Sequence, residues 1–502
     1  MHPPLRQIAL LSLLFVAVRV ISTSFVTTPG YTDAYYYAGV ARNVAAGHGL
    51  VADFVWSPLE APDLAPLPVP SNRFWMPLAS IAQAAGIALL GAALGPFGAA
   101  QLVVVALAAF VPLATYVAAR SLGVAERWSL LAAALAGLGG LLAPAWVALD
   151  SYAMAALLGT VFFLALARAA AGHAGSGALA GLALGLLFLA RAEAALFGLA
   201  PLALVLDPRT RRAGIAGSAV ALVIGVAWLA RDVSLGSQSD VLARSALLVR
   251  YEDLFALRPP TLESFLASAP TALAAKAAAL GTNAVTYLFA FALLPVIGLV
   301  AGARALWSRP VVRHYVALAA AVFLAQSLVW TLHSTRGSYV HSLAAFVPFG
   351  FALACAGGEA MLSRVSGAAR ALAVAASVAA SLAISVTALV QFTTTFDQGE
   401  RARRGALDAI PAGAFLAIDA AAWRWIADRP AVVTPADGLD AAACAIARYG
   451  ARAVVLEAAH FSAYEDLYRT GAADVPWLGG PVARGSIRIF PVRGTVACSL
   501  GR

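Results

Sequence analysis

The chain has 502 residues, of which 61% are hydrophobic and 12% charged, with a net charge of +9 and a mean hydropathy of +0.83. So much apolar sequence excludes an ordinary water-soluble enzyme, a disordered chain, a collagen-like fibre and a disulfide-stapled secreted scaffold. A polytopic α-helical membrane protein remains, because repeated apolar stretches of about 20 residues are what a bilayer demands. The positive charge is no sign of a nucleic-acid partner. A single lysine, Lys276, accompanies arginines set singly or in small groups between apolar runs, which is the pattern of membrane loops.

The first apolar run, 5–26, has a basic start and no small-residue cleavage site behind it. It reads as a retained span rather than a signal peptide. A polar, aromatic, proline-rich stretch follows over 27–76. Further apolar runs occupy 99–119, 128–148, 151–170, 176–190, 194–206, 213–230, 282–303, 314–332, 343–361 and 371–391. The segment 77–94 is apolar but ambiguous, and the positive-inside rule decides it. With 77–94 not crossing and the N-terminus cytoplasmic, one face collects Arg120 and Arg127, Arg168, the group Arg209, Arg211 and Arg212, the group Arg304, Arg309 and Arg313, and Arg364 with Arg370. The prediction is therefore eleven spans, a membrane-surface helix over 77–94, and an extracytoplasmic C-terminus.

Three large segments then lie outside: 27–98, 231–281 and 392–502. We expect a membrane domain over 1–391 and a small α/β domain over 392–502. AFLAID, PAVVT, ARAVVLE and SIRIF read as strands there, with DAAACAIARYG and AYEDLYRTG as helices. It holds no phosphate-cradling glycine loop, so a docking or lid role is expected of it. Cys355 lies in an apolar run and reads as inert core. Cys444 and Cys498 share the polar C-terminal region, where a disulfide is one option.

Chemistry concentrates at the outer level. Asp33 follows the first span in YTDAYYYAGVARNVAAGHGL, ahead of Tyr35, Tyr36 and Tyr37. A partly desolvated carboxylate walled by aromatics suits a general base; the alternative is an N-cap. Asp150, in ALDSYAMAALLG, falls at the same level and either converges with Asp33 or caps the next span. His48 sits between two glycines and either touches a phosphate or only closes a turn. Arg73 lies beside Phe74 and Trp75, a setting for a lipid headgroup or an ordinary interfacial belt. Arg191 and Glu193 stand at an outer turn, facing a cavity or pairing with each other. Arg19 lies inside the first span and must snorkel or pair with an acid. Arg231 and Asp232 end a span, and His333, Arg336 and His341 occupy an outer loop. This arginine and histidine group either grips a phosphate or snorkels at the interface.

These motifs, in this order, resemble the GT-C superfamily of polyprenyl-phosphate-sugar-dependent glycosyltransferases. They are similar in particular to bacterial relatives of protein O-mannosyltransferase and of the lipid A aminoarabinose transferase. The resemblance rests on Arg19 in the first span, TDAYYYAGVARNVAAGHGL, RFWMPL, ALDSYAMAALLG, GLALGLLFLARAEAALFGLAPLAL and WLARDVSLG, and covers about the first half of the chain. It implies a GT-C-like membrane fold with an outer-face active site, located in the inner (cytoplasmic) membrane. There a sugar passes, with inversion, from a polyprenyl-phosphate donor to a hydroxyl acceptor. Asp33 matches the acid that serves as base, and Asp150 matches the second acidic position. The chain has Thr32-Asp33 where protein mannosyltransferases carry an Asp-Glu pair, which leaves a protein acceptor in doubt. Arg73, Arg231, Arg336 and His341 are expected around the donor phosphate, with Tyr35, His48, Arg191 and Glu193 as further site candidates. No cofactor is assigned beyond a candidate divalent cation, for which His48, Glu60 and Asp63 offer ligands at undiagnostic spacing. The rival class is a transporter or flippase of lipid-linked glycans, which predicts internal pseudo-symmetry and polar groups at mid-membrane.

Overall fold

The computed structural model describes residues 3–236, 245–258, 260–472 and 475–498. Among these, five helical stretches are long and apolar enough to cross a membrane: Leu78–Ser121, Tyr152–Ala169, Arg211–Ser234, Pro310–Leu328 and Gly367–Ala409. Two sharply bent pairs, Ala269–Ala290 with Pro295–Ala305 and Thr331–Ala344 with Val347–Leu362, raise this to seven if each is one span. Leu10–Thr23, Ala174–Ala190 and Ala192–Leu206 are shorter apolar helices. The chain is a polytopic helical membrane protein. The regular spans are fewer than eleven because breaks divide the apolar runs. The run 128–148, for instance, is helical only over Glu126–Leu138 and then passes through two short tight turns.

The first helix, α1, spans Pro3–Thr23, and α2 spans Thr32–Ala45. The next, α3, spans Leu78–Ala108 and is interrupted at Gly95, whose φ of 70° precedes Pro96. A proline inside a helix removes a hydrogen bond and clashes with the preceding turn, so the break falls where the residues demand it. The bundle closes through glycines. A Cβ at Gly181 would lie 2.1 Å from the Gly217 carbonyl, so helices Ala174–Ala190 and Arg211–Ser234 meet backbone to backbone. Arg19 is fully buried and, among the described residues, pairs with no acid. It donates instead to the Gly137 carbonyl at the end of helix Glu126–Leu138, the negative end of that helix's dipole.

The arginine-bearing turns meet at one end of the bundle. Arg309 donates to the Ser121 carbonyl at 3.2 Å, and the Ala125 amide donates to Glu359 at 3.0 Å. Asp150 precedes helix Tyr152–Ala169 and Arg168 lies in its last turn, so the two stand at opposite ends of that helix.

Strands β1 (Val51–Ala52), β2 (Phe54–Val55) and β3 (Val69–Pro70) come from the first loop. Strands β4 (Phe415–Ala417), β5 (Ala431–Val433), β6 (Ala453–Leu456), β7 (Val482–Arg484) and β8 (Ile487–Pro491) come from the C-terminal region. A six-stranded sheet runs in the order β2-β5-β4-β6-β8-β7, parallel through β6 and antiparallel beyond. Its edge strand β2 thus belongs to the first loop, so the two segments share one sheet. Every residue of β4, β5 and β6 is buried, as expected of parallel strands covered on both faces. Helices Ala420–Ala427 and Leu439–Tyr449 connect them, and Cys444 is disulfide-bonded to Cys498. Cys355 is free and buried.

Candidate active site

The YTDAYYY segment starts α2 with Tyr31 as N-cap, so Asp33 is not the cap but sits in the first helical turn. A negative charge is favoured there by the helix dipole. The next turn faces inward: Tyr35, Tyr36 and Tyr37 are all fully buried. Tyr36 donates to Glu60 at 2.6 Å and Tyr35 to Glu400 at 2.6 Å. These contacts fix α2 against the first loop and the C-terminal region at once.

Asp150 lies just before helix Tyr152–Ala169 and is fully buried. One carboxylate oxygen accepts the Ser151 amide at 2.5 Å; the other accepts the Tyr31 hydroxyl at 2.8 Å. That second oxygen also lies 2.8 Å from His341 Nε2, and Asp33 Oδ2 is 3.8 Å from the same nitrogen. Asp33 and Asp150 therefore converge on one imidazole. His341 Nδ1 donates to the Gly337 carbonyl at 2.9 Å, because a carbonyl accepts only. This leaves Nε2 facing the carboxylates, and Tyr152 stacks on the ring at 4.2 Å.

The two acids differ in setting. Burial pushes the Asp33 carboxyl up to about 6; Asp150 and Asp419 add to the rise, while His341 and Arg191 oppose it. Burial also acts to raise Asp150, but His341, Arg191 and the Ser151 amide outweigh it and hold that carboxyl at about 2. Asp33 keeps 26% of its side chain exposed and Asp150 none. Asp33 is the more open of the two and the more readily protonated, while Asp150 is closed and favours its charged form.

Arg191 and Glu193 pair at 2.8 Å beneath this cluster. Arg191 also donates to Ser338 at 3.3 Å, and Ser342 donates to Glu193 at 2.7 Å. With His341, Ser342 and apolar residues including Leu187 and Phe197, the pair lines a small cleft.

Arg73 and Arg231 form a second cluster. The Arg73 side chain is 4% exposed and lies 3.6 Å from Asp232, and its amide donates to Glu60 at 3.1 Å. Arg231 donates to the Ser71 carbonyl at 3.0 Å and lies over the Trp228 ring at 4.6 Å. Arg73 Nη2 and Arg231 Nη1 are buried without a hydrogen-bond partner. Arg336 is exposed and stacks over Tyr251 at 4.7 Å.

His341, grouped with the arginines around the donor phosphate, contacts Asp150 and Gly337 through its ring nitrogens. His48, Glu60 and Asp63 do not converge as cation ligands. His48 is exposed beyond the far end of α2, about 20 Å along the helix from Asp33. Glu60 is buried and bonded to Tyr36 and Arg73, and Asp63 is exposed. Among the described residues, the group spaced to hold a cation is Asp33, Asp150 and His341, whose ligand atoms lie within 4.8 Å of one another. Sequence reasoning missed Tyr31, Tyr152, Ser338, Ser342 and Gln326. Tyr31 was within reach, as it directly precedes the Thr32-Asp33 pair.

No family model and no curated protein sequence matches the chain. Solved structures do. The oligosaccharyltransferase of Archaeoglobus fulgidus in its apo form aligns with 93% of this chain and 70% of its own, at 14% identity and a TM-score of 0.55. ArnT from Cupriavidus metallidurans in the apo state aligns with 95% of this chain and 97% of its own, at 17% identity and a TM-score of 0.57. The same enzyme bound to undecaprenyl phosphate aligns over the same shares, at 15% identity and a TM-score of 0.57. The alignment with ArnT runs over nearly the whole length of both chains, and the chain has the GT-C fold.

Proposed function

We propose that the protein is an integral membrane glycosyltransferase of the inner membrane. It moves a sugar from a polyprenyl-phosphate donor to a hydroxyl acceptor on the extracytoplasmic face, with inversion. The observation that carries this reading is the convergence of Asp33 and Asp150 on His341. The likeness to ArnT, which has been seen bound to undecaprenyl phosphate, supports the donor class.

In this reading the acceptor oxygen attacks the anomeric carbon. Asp33 takes its proton, the bond from that carbon to the phosphate oxygen breaks, and the phosphate leaves with its charge. Arg73 and Arg231, with their unpartnered nitrogens, receive the phosphate; a guanidinium fork fits it bidentately. Asp150 stays ionised and holds His341 and Tyr31 in place. A divalent cation fits Asp33, Asp150 and His341 Nε2, a hard oxygen-rich set completed by an imidazole whose other nitrogen is already used. Bound there, it would supply positive charge to the oxygens of the reacting groups.

The test is label transfer from purified polyprenyl-phosphate sugars by the parent protein and Asp33→Asn. Transfer lost in a folded variant supports the reading. Equal transfer by both removes Asp33 as base.

A further inference from the structure

We propose that Gln326 is a positioning residue that aims the His341 imidazole, acting through the turn Ser334–Ser338. The inference rests on the reading that Asp33, Asp150 and His341 form the reacting site. The sequence HSTRGSYVHS breaks the regular helix. Residues Ser334–Ser338 form a π-helical turn, and Gly337 takes a φ of 121°, which side-chain-bearing residues rarely adopt. The Gly337 carbonyl in this turn fixes His341 Nδ1 at 2.9 Å. A glycine in such a turn has no side chain to hold it, so the carbonyl's direction depends on its neighbours.

Gln326 supplies the hold from a different span, Pro310–Leu328. Its amide nitrogen donates to Ser338 at 3.1 Å and to Ser342 at 3.1 Å. Ser338 follows Gly337, and Ser342 follows His341. One planar amide therefore ties the residues beside both ends of the Gly337–His341 hydrogen bond. Arg191 adds a second donor to Ser338, and Glu193 accepts a hydrogen bond from the Ser342 hydroxyl. Gln326 is 2% exposed in an apolar bundle. A buried amide there costs free energy where its polar atoms go unbonded: its nitrogen bonds the last residue of this turn and Ser342 in the next helix, Tyr339–Ala344, while its oxygen is buried without a hydrogen-bond partner.

The experiment uses the full chain in detergent with Gln326→Met, which keeps the volume and removes the N–H groups, together with Ser338→Ala and Ser338→Thr. Two quantities are read: kcat and donor KM for sugar transfer, and the rate at which diethylpyrocarbonate modifies His341, followed by mass spectrometry. Gln326→Met should lower kcat about tenfold or more with donor KM nearly unchanged, since displacements near 1 Å carry penalties up to that order and beyond. His341 should become several-fold faster to modify. Ser338→Ala should move both quantities the same way, and Ser338→Thr, which keeps the hydroxyl, should restore them. A folded Gln326→Met with the parent's kcat and labelling rate overturns the proposal. If Gln326→Met does not fold, the Ser338 pair decides it by the same readouts. His341→Ala separates the two levels: full transfer by that variant overturns the reading of the site, while the labelling rates still judge Gln326.

Discussion

The Tyr35 hydroxyl donates to Glu400 at 2.6 Å across 365 residues of chain, in a buried contact. It joins the helix that carries Asp33 to Gln398–Arg404, the helix that leads into the C-terminal sheet. Glu400 also pairs with Arg404 through its other carboxylate oxygen. Tyr35→Phe removes that one donor and should cost about 2 kcal/mol of stability. A denaturation midpoint that does not fall would contradict this. The transfer rate should fall as well, because α2 loses one of the contacts that hold its first turn.

Parts of this arrangement were legible in the sequence for definite reasons. Sorting the arginines by loop led to the expectation that Asp33 and Asp150 share one level, and both carboxylates lie near His341 Nε2. Alternation and β-branched runs marked β4, β5, β6 and β8, because each is a buried strand between turn residues. The rest depended on long-range contact. His341 stands 191 residues from Asp150, and nothing local distinguishes it from its neighbour His333. Strand β2 has only two residues, too few for a periodic signal, so the shared sheet was invisible. The role of Gln326 depends on a break in another helix, which a hydropathy pattern averages away.

The arginine pair near the first loop gives a prediction about donor binding. Arg73 and Arg231 are shielded and have nitrogens without partners, whereas Arg336 is exposed and stacked on Tyr251. Arg73→Gln and Arg231→Gln should each raise the donor KM about tenfold, the size of a lost charge-assisted hydrogen bond in a shielded site. Arg336→Gln should change it far less. Lysine at position 73 or 231 should restore binding only in part, since an ammonium lacks the planar fork. Steady-state kinetics against a polyprenyl-phosphate sugar checks all of these. A larger effect at Arg336 than at Arg73 would relocate the phosphate.

Asp33 and Asp150 should fail differently when neutralised. Asp33 is partly open and makes one long contact to His341, so Asp33→Asn should keep stability within about 1 kcal/mol. Its transfer rate should fall between about a hundredfold and ten-thousandfold, the range for a lost general base. Asp150 is closed and accepts from Tyr31 and Ser151 while facing His341. An amide there turns an N–H toward donors, so Asp150→Asn should lose several kcal/mol of stability along with activity. Paired denaturation and transfer measurements separate the cases. Similar destabilisation by both variants would mean that Asp33 is structural.

The pH dependence follows from the same contrast. Asp33 must be ionised to take a proton, and its carboxyl is pushed up to about 6. The transfer rate should therefore be level above that value and fall tenfold per unit below it. Asp150, held at about 2, stays charged throughout and adds no second limb in this range. The sign can be tested through Asp419, which lies at the start of helix Ala420–Ala427 and whose negative charge helps to raise Asp33. Asp419→Asn removes a like charge, makes the Asp33 carboxylate easier to form, and should move the acid limb to lower pH. A limb that stays fixed in Asp419→Asn while disappearing in Asp33→Asn would assign the titration to Asp33 but deny that the sheet domain tunes it. A limb that persists in the residual activity of Asp33→Asn would show that another group is the one titrating.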